Sequence, residues 1–492
     1  MILRVIGHNF HYEMENLCRV FFPNEKIKTV HDENEESEDK IVTTIFIRKE
    51  QTVKLTVVVK LGDAVKTRNC FVNINIKDLL AECERLMAVA LFNSMIDLTG
   101  YVPSWGILTG VRPSKLMINL INQFGEKGAE SYFLNELLVS NEKTILTIAV
   151  ANTEEKIIER ARKDCFSLYV SIPFCPSRCS YCSFVSHSIT AINAKKLIPE
   201  YIEKLCFELE KIGKLALELQ IKPQTIYFGG GTPTSLEAID LERICNIIEK
   251  NFDLSCLEEY TIEAGRPDTI SKDKLLTLKN NGITRISINP QTFNDDVLVA
   301  IGRKHKAECT LEAYKLARSI GFECINMDLI AGLPEDSLES FGNTLEISRN
   351  LSPENITVHT LALKRSSSLV TNGDRIFEGG NTAEMLNLAQ NKLQVSGYHP
   401  YYMYRQSRSL GNLENIGWCK PGYEGIYNVF MMEECQTVLS AGAGAVTKLK
   451  EKNGGHIERI FNFKYPYEYN SRFDELIDRK KAVVEFFSKY NV

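Results

Sequence analysis

The chain has 492 residues, 44% of them hydrophobic and 25% charged, with a formal net charge of −5. That length suggests about three domains with enough apolar material for packed cores, and the mild acidity argues against broad nucleic-acid binding. No apolar run approaches the roughly 20 residues of a membrane span. The start, "MILRVIGHNFHYEME", is too polar for a secretory leader, so a cytoplasmic protein with no membrane partner is expected.

Residues 1–160 read as one α+β domain of unknown role. "KIVTTIFIRKEQTVKLTVVVKL" holds two alternating runs, the pattern of a hairpin, after a solvated acidic loop, "DENEESEDK". The helical patterns "AECERLMAVALFNSMIDLTG" and "EKTILTIAVANTEEKIIERARKD" follow. Between them "WGILTGVRPSKL" forms either an anion-binding turn or a packed loop. From 161 to 395 short apolar strands alternate with amphipathic helices, the rhythm of βα units on a parallel sheet. The strands are "SLYVSI", "TIYF", "YTIEA", "RISI", "INMDLIAG" and "NITVHTLAL", six units where a closed barrel has eight. The helical run "DKLLTLKNNG" stops at Gly282, as a helix should. Residues 396–492, richer in tyrosine and glycine, are expected to form a separate C-terminal segment that covers substrate.

In (β/α) barrels the working groups lie on the loops after the strands. Here Cys175, Cys179 and Cys182 follow the first strand, in "SIPFCPSRCSYCSF", and "GGGTPT" from Gly229 to Thr234 follows the second. Glu263 ends the third. Gln291 and Arg303 come after the fourth, Asp328 lies on the fifth, and Ala362 ends the sixth. In a reducing compartment the fourteen cysteines are not a disulfide framework. Most, such as Cys206 and Cys245, should act as small buried hydrophobes. Zinc asks for four ligands and disulfides for an even count, whereas a cubane iron–sulfur cluster held by three thiolates keeps one iron open. The glycine triplet exposes backbone N–H groups to a close ligand, and Glu263 suits ribose hydroxyls. Taken singly, the triplet is a turn, Glu263 and Asp328 are caps or ion-pair partners, and His305 and His359 are core or loop histidines. Together they fall on one rim.

"YVSIPFCPSRCSYCSF", "FGGGTPT", "RISINPQTFND" and "MDLIAGLP" resemble the oxygen-independent coproporphyrinogen III oxidase family of radical S-adenosylmethionine (SAM) enzymes. "YYMYRQ", "GNLENIGW", "GIYNVFMMEE" and "WGILTGVRP" look closest to its HemZ branch. The resemblance implies an α/β fold, a partial (β/α)6 TIM-like barrel with an N-terminal α+β domain and a C-terminal extension. It implies a 4Fe-4S cluster on Cys175, Cys179 and Cys182, and one or two SAM molecules. Tyr169 and Tyr181 would flank the first SAM, Gly230 would contact it, Glu263 would hold its ribose and Val446 its adenine. Gly231, Thr232, Gln291, Arg303, Asp328 and Ala362 match positions lining a second.

The implied activity is decarboxylation of coproporphyrinogen III to protoporphyrinogen IX by a monomer served by flavodoxin or ferredoxin. Lys364, Arg365, Arg405 and Arg408 are the nearest cations for the substrate's carboxylates. The pattern departs from the best-understood oxidases at Phe184, where they carry a further cysteine. A haem chaperone and an anaerobic haem-opening methylase share the core motifs and remain the rival readings.

Overall fold

The computed structural model describes residues 1–31, 39–182, 184, 187–191, 193–362, 380–406 and 408–490. They form two compact units, Met1–Ala151 with Tyr404–Glu414, and Asn152–Met403 with Asn415–Val492. The acidic run at 32–38, Lys364 and Arg365 lie outside the described residues.

The first unit holds β1 (Ile2–Ile6), β2 (Lys28–Val30), β3 (Lys40–Arg48), β4 (Thr52–Leu61) and β5 (Ala64–Asn73), in spatial order β2-β1-β3-β4-β5. The two alternating runs are β3 and β4, antiparallel throughout. Alternation buries Val53, Leu55, Val57 and Val59 on one face, packed with Met87, Leu91 and Met95 of helix Leu79–Thr99. Asp78 caps that helix by accepting from the Ala81 N–H, and Gly100 ends it at φ 69°. "WGILTG" is a packed loop. Trp105 is buried and donates to Glu414 Oε2 at 2.7 Å, and a Cβ on Gly106 would meet Leu137 O at 2.1 Å.

The second unit is built on β6 (Cys165–Ile172), β7 (Lys222–Gly230), β8 (Glu259–Glu263), β9 (Arg285–Ser287), β10 (Cys324–Ala331) and β11 (Asn355–Thr360), all parallel. Helices Ala194–Glu218, Ala238–Asn251, Lys272–Asn280, Ala307–Ile320 and Leu338–Leu351 connect them. Strands β12 (His399–Arg405), β13 (Glu414–Cys419), β14 (Val438–Ala441), β15 (Val446–Lys450) and β16 (Ile457–Phe461) complete an eleven-stranded sheet. Its order is β12-β13-β11-β10-β9-β8-β7-β6-β14-β15-β16. Residues after 396 thus extend both edges of the core sheet, and the boundary drawn at 395 falls inside one compact unit. Extra strands at both margins are one way to manage the exposed edges of an incomplete barrel.

Alternation along the core strands sorts the chemistry. Leu168, Val170, Ile172, Ile226, Phe228, Ile262, Ile286, Ile325 and Met327 join the helices in one apolar core. The alternate positions carry Ser167, Tyr169, Thr225, Tyr227, Thr261, Glu263, Ser287, Asn326, Asp328, Thr357 and His359. These polar side chains bond to one another across strands. Thr225 donates to Ser167 Oγ, Asn326 Nδ2 donates to Ser287 Oγ and to Asp328 Oδ1, each at 2.8 Å, and Thr357 donates to Asn326 Oδ1 at 3.0 Å.

One buried carboxylate secures the C-terminal helices. Glu208 accepts from the Gly442 N–H and Tyr469 OH through Oε2, and from Asn462 Nδ2 and Lys480 Nζ through Oε1, at 2.7–2.8 Å. Both Glu208 and Lys480 are nearly inaccessible. Removing one member of such a pair strands the other charge, at a cost of about 3–5 kcal/mol. Glu208→Ala should therefore lower the urea midpoint strongly, and the double variant Glu208→Leu/Lys480→Met should recover most of the loss. Equal midpoints for the wild type and Glu208→Ala would remove this role.

Candidate functional site

The loop after β6 is held at several points. Phe174–Cys175 pairs with His187–Ser188, Cys182 N donates to Cys179 O, and Ser180 N donates to Ile301 O. From β7, Gly231 N donates to Ile172 O at 2.8 Å and Thr232 N to Phe174 O at 2.7 Å. A Cβ at Gly231 would sit 2.6 Å from Phe174 O, and Gly230 adopts φ +104°, so both positions favour glycine. Thr232 Oγ1 lies 3.5 Å from Cys175 Sγ.

A guanidinium stands beside the thiols. Arg266 Nη1 is 3.6 Å from Cys179 Sγ and 3.3 Å from Ser177 Oγ, and Asp268 grips its other side at 3.1 Å through both carboxylate oxygens. His305 Nδ1 lies 3.5 Å from Asp268 Oδ1. Burial raises the Asp268 carboxyl, but His305 and Arg266 hold it well below the usual carboxylate range. Burial pushes the Cys182 thiol up to about 11, against a backbone hydrogen bond from Phe184, and Cys179 and Cys175 add to the rise. Metallation would expel those protons. Three soft donors beside a fixed cation fit a three-thiolate iron–sulfur cluster, whose bound sulfurs carry negative charge. Phe184 is 63% exposed beside this loop.

Inside the strands Tyr169, Tyr227 and Tyr427 stack, the last two with ring centroids 4.4 Å apart. Tyr227 OH donates to Glu263 Oε1 at 2.6 Å. Burial raises the Glu263 carboxyl to about 7, opposed by the Tyr227 hydrogen bond and reinforced by Asp328. Burial also raises Asp328, yet His359, with Nε2 at 3.7 Å, outweighs it and lowers that carboxyl. His359 is raised in turn, Asp328 and Asn415 outweighing the effect of burial.

The remaining expected residues fall as follows. Gln291 bridges to β10, accepting from Ile330 N and donating its N–H to Asp328 O, at φ +66°. Its buried Oε1 has no partner among the described residues, and nor does Nε of Arg303. Arg303 is buried, with Nη1 on Asn289 O at 2.6 Å and Nη2 on Tyr181 OH at 3.4 Å. Burial and the neighbouring thiols raise the Tyr181 phenol, against Arg303. Ala362 is the last described residue before 380, and Val446 opens β15. Its preceding loop touches the end of β6, where Ser171 Oγ donates to Ala443 O at 2.7 Å.

Arg405 is buried over Trp105, with Nη1 on Leu108 O at 2.7 Å and with Nε and Nη2 lacking a partner among the described residues. Arg408 is exposed at φ +66°. Sequence reasoning missed Arg266, Asp268, Tyr227 and Tyr427. Arg266 and Asp268 follow the third strand in "EAGRPD", the rim position that singled out their neighbours.

Six parallel strands with a three-cysteine loop after the first, a glycine turn after the second and an interior carboxylate after the third define a radical SAM fold. Residues 169–347 match the Radical SAM superfamily. The chain is 35% identical over 489 residues to "Oxygen-independent coproporphyrinogen-III oxidase-like protein HemZ" of Bacillus subtilis, covering 97% of this chain and 96% of that one. It therefore belongs to the HemZ family of oxygen-independent coproporphyrinogen-III oxidase-like radical SAM proteins. It is also 35% identical over 284 residues to the heme chaperone HemW of the same organism, covering 57% of this chain and 70% of that one. Coproporphyrinogen III oxidase (HemN) of Escherichia coli, at 22% identity, shares the fold with a TM-score of 0.52 over 77% of each chain. Among the described residues no helix is long and apolar enough to cross a membrane.

Two outcomes test the site. Anaerobically purified protein should carry about four irons per chain, the cubane stoichiometry, and serine at Cys175, Cys179 or Cys182 should abolish it. The second outcome concerns pH. If ionised Glu263 accepts from ribose hydroxyls, a carboxyl titrating near 7 makes SAM affinity rise with pH, about ten-fold from pH 6 to pH 8. Glu263→Gln should flatten that profile while iron stays constant. A wild-type profile without slope would assign the residue a structural task.

Proposed function

We propose that the protein catalyses oxygen-independent oxidative decarboxylation of coproporphyrinogen III to protoporphyrinogen IX. The observation that carries this reading is the polar barrel interior, where Glu263 lies with the Asp328–His359 pair. A buried polar atom without a partner costs about 1–3 kcal/mol. Among the described residues Gln291 Oε1 and Arg303 Nε are such atoms, and a binding site gives them a use.

When bound, the cluster and SAM supply one-electron cleavage of a sulfonium and abstraction of a hydrogen atom. The chain's own residues bind, orient and exclude water. In this reading Cys175, Cys179 and Cys182 hold the cluster, and Tyr169 and Tyr181 flank SAM. Gly230 lets it approach, Glu263 takes its ribose hydroxyls and Val446 meets its adenine. Gly231, Thr232, Gln291, Arg303, Asp328 and Ala362 line a second SAM. Each of two propionates loses a β-hydrogen atom, carbon dioxide and one electron to a one-electron acceptor, leaving a vinyl group. Residues 396–492 cover the substrate, and a low-potential flavodoxin or ferredoxin feeds the cytoplasmic monomer. The alignment over 97% of the chain supports this reading over a haem carrier, since the Bacillus HemW match spans 57%.

With dithionite, SAM and coproporphyrinogen III under strict anaerobiosis, the protein should release carbon dioxide and about two 5′-deoxyadenosines per divinyl product. Turnover elicited by haem alone, or SAM cleavage without any vinyl product, would overturn the assignment in favour of haem handling.

A further inference from the structure

At the opposite, amino-terminal end of the parallel strands, three side chains that this function leaves unused converge. His399 opens β12, Cys419 closes β13 opposite Asn355, the first residue of β11, and Glu424 follows in the next loop. One donor atom from each lies within 4.8 Å of the others. His399 Nε2 is 2.9 Å from Glu424 Oε1 and 3.4 Å from Cys419 Sγ. Among the described residues no other trio of His, Cys, Asp or Glu comes together so closely.

We propose that His399, Cys419 and Glu424 form a zinc site that clips the antiparallel margin of the sheet, distinct from the thiol loop at the other end of the strands. The spacing suits the ion. Zinc bonds of about 2.3 Å to sulfur and 2.0–2.2 Å to nitrogen or oxygen put tetrahedral donors roughly 3.4–3.6 Å apart. The sulfur–imidazole distance is already there, and the sulfur–carboxylate edge, within 4.8 Å, closes by up to about 1.2 Å. The imidazole–carboxylate distance opens by about 0.5 Å through side-chain rotation, as a hydrogen bond gives way to two metal bonds.

The donor types also select. A thiolate with an imidazole favours zinc, whereas magnesium and calcium take oxygen. Thiolate and carboxylate together neutralise a divalent cation. Arg285, the nearest cation, is already committed to Asn355 Oδ1 and to the Tyr423 and Glu424 carbonyls, with Glu259 at 3.9 Å. Lys420 points to Ser352 O and Glu354. Cys419 is fully buried while His399 and Glu424 are partly exposed, so a water can complete the shell from the solvent side. The ion would pin residues 399, 419 and 424 together where the sheet turns antiparallel.

The test uses the full-length, anaerobically purified, iron-loaded protein with zinc added during expression. Metal analysis should give about one zinc per chain, and zinc-edge X-ray absorption should give one sulfur at about 2.3 Å with nitrogen or oxygen at about 2.0–2.2 Å. Cys419→Ser and His399→Gln should each weaken zinc binding ten-fold or more while iron per chain is unchanged. Glu424→Gln, at a loop position more exposed than Cys419, should move zinc in the same direction without loss of folding. Absence of stoichiometric zinc, zinc ringed by three sulfurs, or wild-type zinc affinity in the variants overturns the proposal.

Discussion

In-register parallel pairing of β6 with β7 and of β7 with β8 is the constraint on which the site depends. Tyr169 lies opposite Tyr227, which lies opposite Thr261, and Ile172 lies opposite Gly230. Because side chains alternate, a slip of one residue would turn Tyr227 and Glu263 toward the helices and bring Phe228 and Ile262 inside. The apolar core between sheet and helices forbids that slip, since Ile226, Phe228 and Ile262 are already fully buried there. Core packing therefore aims the polar groups, although none of its residues touches them chemically.

The two ends of the strands treat polar groups differently. At the amino ends they are bound to one another. Gln224 accepts from Arg162 N and Gln436 Nε2 and donates to Arg160 O and Glu258 Oε1, while Glu259 accepts from Ile426 N at 2.6 Å. Such saturation favours rigidity. At the carboxyl ends Gln291 Oε1 and Arg303 Nε are left without partners among the described residues, and Gln291 holds a left-handed backbone. Unpaired atoms at one end, with a hydrogen-bonded network at the other, fit a scaffold whose loops bind.

Much of this was legible in the sequence because it follows from local pattern. The six strands, the helix stop at Gly282 and the rim positions of Cys175, Gly230, Glu263 and Asp328 follow from alternation, glycine chemistry and the strand-end rule. What escaped depends on side chains meeting across long separations. Arg266 reaches back 87 residues to Cys179, and Tyr427 stacks on Tyr227 across 200. No local spacing encodes either contact. The same holds for β14, which reads as part of a C-terminal segment yet pairs directly with β6.

Electrostatics ties the thiol loop to the interior. Arg266 and Arg303 are both buried beside the cysteines, and each is braced by an oxygen partner, Asp268 for the first and Asn289 O with Tyr181 OH for the second. Deeper in, Asp328 adds to the rise that burial imposes on the Glu263 carboxyl, and His359 opposes that rise at Glu263 while outweighing burial at Asp328. One carboxyl is thereby held low and the other raised to about 7, a division set by which of them lies directly against His359. The positive charges stand beside the thiols and the titratable acid lies among the tyrosines, so the site carries a fixed polarity from its rim to its interior. A ligand with a cationic centre and neutral hydroxyls meets carboxylates inside, while an anionic cluster meets guanidinium groups at the rim.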